Sequence, residues 1–433
     1  HLAASAREVW TGANQEIALV ASLSGVSMSL FGDGRFAGCD VTPEAALAEA
    51  VSGWRYISPF TCEDWSPITA IAQLAAWRKL IDANRKIDAV YGVAGWKRVT
   101  LDAMLWDGSS PVAYARGFRS IRATRQYQIA WKSRVASRLL AKLANSGAHV
   151  GEIEDGFIRS VGLGANCVPP LSTIVDFTGI YFDPNQESDL ENILQKDKFD
   201  EKLCRRAAAL KNRLIEAEIS KYGQGRNDIK LTDINRYKVL VAGQVEDDRS
   251  ICTGGAGMTN LELLARARTH APDAHIIYKP HPDVVAGHRK GHVETADALR
   301  FADEIQNNAA ITSLIEAVDG VHVITSLAGF EALLRGKAVT THGVPFYAGW
   351  GLTKDLSEVP ARRTRRLSLD ELVAGTLLLY PRYTDPVTRL PCSAELLVER
   401  MAQGEARIST PLITLREWQG RLRLLLRSFI RRH

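Results

Sequence analysis

The sequence predicts an α/β protein made of two Rossmann-like domains facing one another across a cleft. Three observations carry this. The chain has 433 residues, too many for one ordinary hydrophobic core. Apolar runs with the character of buried parallel strands alternate with helical patterns, and the alternation restarts midway. Between the two series lies 223–236, GQGRNDIKLTDINR, polar and glycine-containing in the manner of a linker. The expected boundaries are 1–236 for the first domain, 237–405 for the second and 406–433 for a tail of different composition.

In chain order, 15–22 (QEIALVAS) and 86–94 (KIDAVYGVA) read as strands, and 67–84 has helical spacing through Ile71, Leu74, Trp77 and Leu80. An amphipathic helix is expected over 132–146, leading into a strand at 148–153. A strand pair or extended segment follows over 173–184. Ser188 and Glu191 have the spacing of a capping box, and 198–222 reads as a long charged helix. In the second half, strands are expected at 237–242, 275–278, 321–325 and 338–341. Helices are expected at 260–269, 313–318 and 327–335.

Composition narrows the classes. Hydrophobic residues at 46% and charged residues at 24% are those of an ordinary globular protein. A net charge of +5 suits an anionic ligand or an acidic membrane surface and makes no case for nucleic acid. Six scattered cysteines without a CxxC argue for reduced thiols, not a disulfide framework or a zinc site. With no secretory signal and no apolar run of bilayer length, the expectation is a cytoplasmic protein. The tail segment Arg416–Arg432 carries six arginines among Trp418, leucines, Phe429 and Ile430. Such a basic amphipathic helix fits an anionic membrane interface, or equally a self-association seam or a helix packed on the body.

Four stretches could carry chemistry. Gly151–Gly164, GEIEDGFIRSVGLG, places Glu154 and Asp155 where a strand ends, with Gly156 to turn the chain and Gly162 and Gly164 for close approach. The crevice beyond strand ends is where open α/β sheets bind ligands, although Asp-Gly also reads as a solvated turn. Lys279-Pro280-His281-Pro282-Asp283 follows a strand, and its prolines aim the imidazole. Lys279 and His281 can meet a phosphate there, and the alternative is a structural histidine in a stiff turn. In 323–331, VITSLAGFE, Thr325 or Ser326 caps a helix whose amides suit an anion, and Gly329 permits close approach. Glu331 could accept both hydroxyls of a ribose or could face solvent. In 345–351, PFYAGWG, Tyr347 and Trp350 could stack on a ring or form a satellite cluster under a loop. The acids of 243–248, GQVEDD, make a poor metal site, whereas Gln244 is placed to reach the cleft.

Taken together, EDGFIRSVGLG, PPLS at Pro169–Ser172, DPNQESDLE, VLVAGQVEDDRSI, KPHPDV, TSLAGFEALLRGK, PFYAGWGLT and YPRYTDP resemble the bacterial capsule-polysaccharide β-Kdo glycosyltransferases of the KpsC type. The ordered set runs from about Ile87 to Cys392. The resemblance implies a GT-B-like architecture, CMP-Kdo held mainly by the C-terminal domain, a Kdo-containing glycan or glycolipid acceptor, no cofactor and no metal. It implies Asp155 as the catalytic carboxylate with Glu154 beside it. His281 would hold the CMP phosphate and assist its departure, with Lys279 and Pro282 in the same motif. Ser326 and Gly329 would lie at the phosphate and Glu331 at the ribose. Gln244 is assigned to the donor side, Arg159 to the Kdo carboxylate or acceptor, and Tyr347 and Trp350 to substrate stacking. It further implies retention of anomeric configuration by double displacement through Asp155. A cytoplasmic location at the inner-membrane surface would follow through the tail.

The pattern departs from the family in two places. Proteins of this type carry two transferase modules, and only one is found in this sequence. The early tryptophan-glycine motif is matched only by Gly95-Trp96-Lys97-Arg98. Two other classes remain open at this point: a polyol-phosphate transferase using a CDP-linked donor, and a non-catalytic module that binds nucleotide or glycan.

Overall fold

The structure is a computed structural model. It describes residues 6–12, 16–34, 48, 51, 54–117, 126–160, 167–220, 223–224, 231, 235–287, 289–406 and 408. Gly162, Gly164, the basic stretch Arg416–Arg432 and most of 223–236 lie outside the described residues. The chain forms two compact units, 1–78 and 79–433.

In the first unit, Glu8–Gly12 pairs in parallel with Ser27–Phe31. The run expected as a strand at 15–22 is instead the helix Glu16–Leu23. Two parallel neighbours cannot be joined by a hairpin, so the chain between them must cross over, and a helix is the usual means. A short apolar run carries no decisive period, and this one also holds Gln, Glu, Leu and two alanines, which favour the helix.

The second unit holds two sheets. The first runs in the order Pro391–Cys392, Arg382–Thr384, Ser172–Asp176, His149–Asp155, Tyr127–Ala130, Ile87–Tyr91, Tyr114–Ala115. Its four strands from His149–Asp155 onward are parallel, and the remaining pairings are antiparallel. The second sheet is parallel throughout, in the order Glu304–Ile305, His275–Lys279, Lys238–Ala242, Gly320–Val323, Ala338–Thr341, Lys354–Asp355. These are two Rossmann-like lobes, as the alternation predicts.

Hydrogen bonds cross the expected boundary at 236. Ser172–Asp176 would be an open edge, and Arg382–Thr384 returns from the second lobe to cover it. The YPRYTDP motif makes the return. Tyr380 donates to Asp176 (2.6 Å), Arg382 to Asn84 (2.6 Å), and Thr384 to the Thr100 carbonyl (3.0 Å). The long helix expected over 198–222 is Glu201–Glu216, capped by Asp200. The region expected to hold a strand pair or an extended segment forms one strand, Ser172–Asp176. Ser188 caps its helix by accepting from the Glu191 amide, but the Glu191 carboxylate is taken by Arg362 and Arg363.

The lobes share one apolar core. Phe157 sits 4.8 Å from the Tyr181 ring and 4.9 Å from Phe346, with Tyr380 and Phe330 around them. This aromatic floor joins residues that directly follow Asp155 to the loop after Thr341. Gly156 explains how Phe157 reaches it. A side chain there would strike Ser172 on the neighbouring strand. The glycine therefore serves close approach, not the sharp turn its Asp-Gly context predicts.

On the other face of the second sheet, His322 Nδ1 lies 3.0 Å from His342 Nε2, both rings buried. Burial, with His270 and Lys354 nearby, lowers His322 to about 4. Burial, with His322, His270 and Arg266, lowers His342 to about 3. Their folded values lie below the unfolded value near 6.5. The stability they confer is thus complete above about pH 6.5 and is lost as pH falls through that value. Each neutral histidine should cost about 1.4 kcal/mol of stability per pH unit below it. Denaturant unfolding at pH 7.5 and pH 5 should show this loss, and His342→Gln should flatten the dependence. An unchanged slope in that variant would argue against the pair as its source.

Candidate active site

Glu154 and Asp155 end the strand His149–Asp155. Both line a cleft of about 940 Å³ between the lobes. Asp155 is clasped on both sides: Lys97 Nζ donates to Oδ1 and Arg159 Nε to Oδ2, each at 2.8 Å. Lys97 arrives from the turn Gly95–Lys97 with its ammonium 3.4 Å from the centre of the Trp131 ring. Arg159 follows four residues after Asp155 and is 5% exposed, with a further bond to the Val168 carbonyl. Burial pushes the Asp155 carboxyl up, but the two cations and their hydrogen bonds outweigh it, so it lies below its ordinary value. Burial lowers Lys97 to about 8, with Asp155 opposing the shift.

Glu154 goes the other way. Burial first, then the negative charges of Asp155 and Glu152, raise it to about 8. Two adjacent carboxyls are thereby separated into one that is an anion and one that holds a proton at neutral pH, the division that acid–base chemistry uses. Glu152, fully buried one turn of the pleat earlier, pairs with Lys132 (3.2 Å) and with Arg249 of the facing lobe. Arg249 also lies 3.6 Å from Glu154 and stacks 4.9 Å from the Phe182 ring. It joins the lobes at the acid pair.

The second lobe supplies the opposite wall. Lys279 ends the strand His275–Lys279, 7% exposed, and donates to the Asn307 carbonyl (2.8 Å). His281 caps the short helix Pro282–Val285, its Nδ1 accepting from the Asp283 amide at 3.2 Å. In the neutral ring that bond puts the proton on Nε2. Ser326 caps Leu327–Leu334 by accepting from the Ala328 amide (3.2 Å). Lys279, His281, Pro282, Ser326 and Glu331 all line the same cleft as Asp155, Glu154 and Arg159.

Four expected residues behave differently. Gln244 lines the cleft, but its Oε1 accepts from the amides of Ile324 (3.1 Å), Thr325 (2.9 Å) and Ser326 (3.1 Å). The side chain serves the strand-to-helix turn, so those three N–H groups are not open to an anion while it stays. Tyr347 and Trp350 are not cleft aromatics; both are fully buried. The Tyr347 hydroxyl donates to the Ser326 carbonyl, and the Trp350 indole donates to the Phe346 carbonyl (2.8 Å). Each polar tip finds a backbone partner, which is what allows so large a ring into the core. Gly329 makes room for that arrangement, because a methyl group there would run into the Tyr347 hydroxyl. Its role is packing the cap, not approach to a ligand.

Sequence reasoning missed Lys97, Trp131, Arg249, Glu152 and Lys132. Lys97 had a signal in the Gly95–Arg98 motif, and Arg249 lay in the GQVEDDRS loop. Neither could be matched to a carboxylate without the fold.

Comparison with known proteins identifies the family. A family model for capsule polysaccharide biosynthesis proteins matches residues 128–231 and 205–383. Capsule polysaccharide modification protein LipA of Neisseria meningitidis serogroup A is 42% identical over 348 residues, 79% of this chain and 49% of LipA. The chain thus spans about half the length of that relative. Lipopolysaccharide-processing protein LpsZ of Rhizobium meliloti is 41% identical over 72% of this chain and 73% of its own. Two solved structures of Thermosulfurimonas dismutans KpsC superpose. The β-Kdo 2,7 transferase has 35% identity and a TM-score of 0.59, covering 73% of this chain and 99% of that one. The β-Kdo 2,4 transferase has 31% identity and a TM-score of 0.62, covering 73% and 98%. With its family model, its relatives and its two-lobed fold in agreement, this chain belongs to the capsule polysaccharide biosynthesis protein family.

Proposed function

We propose that the protein is a retaining β-Kdo transferase that moves Kdo from CMP-β-Kdo to a Kdo-containing glycan or glycolipid in surface-polysaccharide synthesis. The observation that carries this reading is one cleft lined by Glu154, by Asp155 clasped between Lys97 and Arg159 and, across the gap, by Lys279, His281 and the Ser326 helix end. Two similar solved structures are β-Kdo transferases, which supports Kdo as the sugar transferred. Work at the cytoplasmic face of the inner membrane belongs to the same proposal. So does phosphate binding by side-chain cations, without a metal.

In the first step an Asp155 oxygen forms a bond to the anomeric carbon, and the bond from that carbon to the CMP phosphate oxygen breaks, its electron pair leaving with CMP. Lys279 and His281 meet the charge that develops on the phosphate, and Glu154 gives its proton to the departing phosphate oxygen and so becomes an anion. Once Asp155 is esterified its negative charge is gone, and one cause of the raised Glu154 value goes with it. Glu154, now an anion, takes the proton of the acceptor hydroxyl as that oxygen displaces Asp155. Two inversions give net retention.

Incubation with CMP-Kdo should yield a protein adduct heavier by one Kdo residue in intact mass. Asp155→Ala should form none and should lose about 10³-fold or more in kcat. A product of inverted anomeric configuration would exclude the covalent route.

The pH profile carries a further prediction. The ammonium of Lys97 favours the Asp155 anion, so Lys97→Met should raise the Asp155 value. Less of the nucleophile is then ionised at low pH, and the acid limb of kcat/KM should move up by about 1 to 3 pH units. The basic limb of the unaltered enzyme should fall near pH 8, where Glu154 and Lys97 lose protons. An acid limb that stays in place would remove Lys97 from this role.

A further inference from the structure

A second hollow, of about 360 Å³, opens in the first lobe beside the cleft. It lies past the carboxyl ends of the parallel neighbours Ile87–Tyr91 and Tyr114–Ala115, the position at which α/β sheets take ligands. Arg134 lines both spaces, so the hollow and the cleft share a wall.

The two spaces differ in charge. The cleft mixes acids with bases, whereas the hollow is lined by Arg98, Arg116 and Arg134 and, among the described residues, by no carboxylate. Arg98 is held in place: its guanidinium carbon lies 4.3 Å from the centre of the Tyr114 ring, whose hydroxyl donates to Asp102 at 2.7 Å. Its Nε is buried and, among the described residues, has no hydrogen-bond acceptor. A buried donor without an acceptor is unfavourable and is normally explained by a missing partner. Arg116 and Arg134 are exposed at the rim. Tyr91, Val135 and Leu139 complete the walls with apolar surface suited to the C–H face of a sugar ring.

Guanidinium forks match the paired oxygens of a carboxylate or a phosphate. The size is that of a small-ligand site. We infer that this hollow is an anion subsite for the acceptor: it takes a carboxylate- or phosphate-bearing sugar unit and presents the attached hydroxyl past Arg134 to the Asp155 cleft. The inference rests on the transferase reading above and adds what that reading lacks, a reason for the enzyme to select acidic acceptors.

The test uses the full chain, CMP-Kdo and three acceptors: a Kdo-terminated oligosaccharide, its methyl ester, and an analogue in which a phosphomonoester replaces the carboxylate. The free acid should exceed the ester in kcat/KM by roughly tenfold to a hundredfold, the range expected of a charge-assisted contact. Arg98→Gln and, separately, Arg134→Gln should bring that ratio towards one, mainly through KM. The ratio is read within each variant's active fraction, so partial misfolding does not mimic the effect, and the rim variant stands in if Arg98→Gln does not fold. Preference for the phosphomonoester over the acid would assign phosphate as the natural anion. If acid and ester are used equally, or both variants keep the ratio, the subsite is overturned while the transferase reading survives. If no acceptor yields product from CMP-Kdo, the transferase reading falls and the subsite with it.

Discussion

An aspartate at the inner end of a buried strand is an anion here because two cations take its two oxygens. Lys97 and Arg159 approach Asp155 from opposite sides at 2.8 Å each. Both are almost wholly buried. A cluster of this kind is poor evidence of stability, since the desolvation of three charges offsets much of their attraction. What it gives is geometry. With both carboxylate oxygens held, the side chain has one orientation, and the Trp131 face behind Lys97 leaves the ammonium nowhere else to go. The same negative charge acts on Glu154, whose proton is retained partly because Asp155 has lost its own. Removing either cation therefore acts on Asp155 directly and on Glu154 through it.

The constraint extends across the cleft. Glu152, buried behind the acid pair, is held by Lys132 from its own lobe and by Arg249 from the facing one. Below them the rings of Phe157, Tyr181, Phe346 and Tyr380 form a continuous floor. Arg382 and Thr384 carry the chain back to the first sheet. Three independent ties thus fix the lobes near the site: an ion pair, an apolar floor and a returning strand. A cleft bounded this way keeps the distance between Asp155 and the Lys279–His281 wall within a narrow range, which positioning chemistry requires.

How much of this could be read from sequence follows from what determines each feature. Strand ends and caps are local. Hence the acid pair, the Lys279–Asp283 turn and the Ser326 cap were legible, down to the residues that line the cleft. The Glu16–Leu23 helix was not, because an eight-residue apolar run has no period long enough to separate helix from strand, and its identity depends on a parallel pairing made elsewhere. Tyr347 and Trp350 were misplaced for a related reason. Glycines on either side of aromatic residues mark a loop, but whether the rings face out depends on backbone carbonyls of Ser326 and Phe346 that accept from them. Lys97 and Arg249 were missed because an ion pair between residues 58 or 97 positions apart leaves no mark on either local sequence.

Gln244 shows what the helix end requires of a ligand. A neutral amide oxygen accepts from three successive backbone N–H groups, the number an anionic oxygen would be offered. The turn is therefore already shaped for an acceptor atom and needs no rearrangement to present it. An incoming phosphate has two courses. It can displace the Gln244 side chain and take the amides directly, gaining charge-assisted bonds at the cost of leaving the amide to find new partners. Alternatively it can leave Gln244 in place and draw on the Ser326 hydroxyl, Lys279 and His281. The second course breaks no existing bond to the turn, and it keeps the Gln244 Nε2 bond to Thr325 (3.2 Å) intact. The burial of Lys279, which lowers its value for want of solvent, makes an anion beside it more favourable still. In the proposed reaction this assigns the phosphate to the strand-end lysine and histidine, while the glutamine holds the Ser326 helix end in shape.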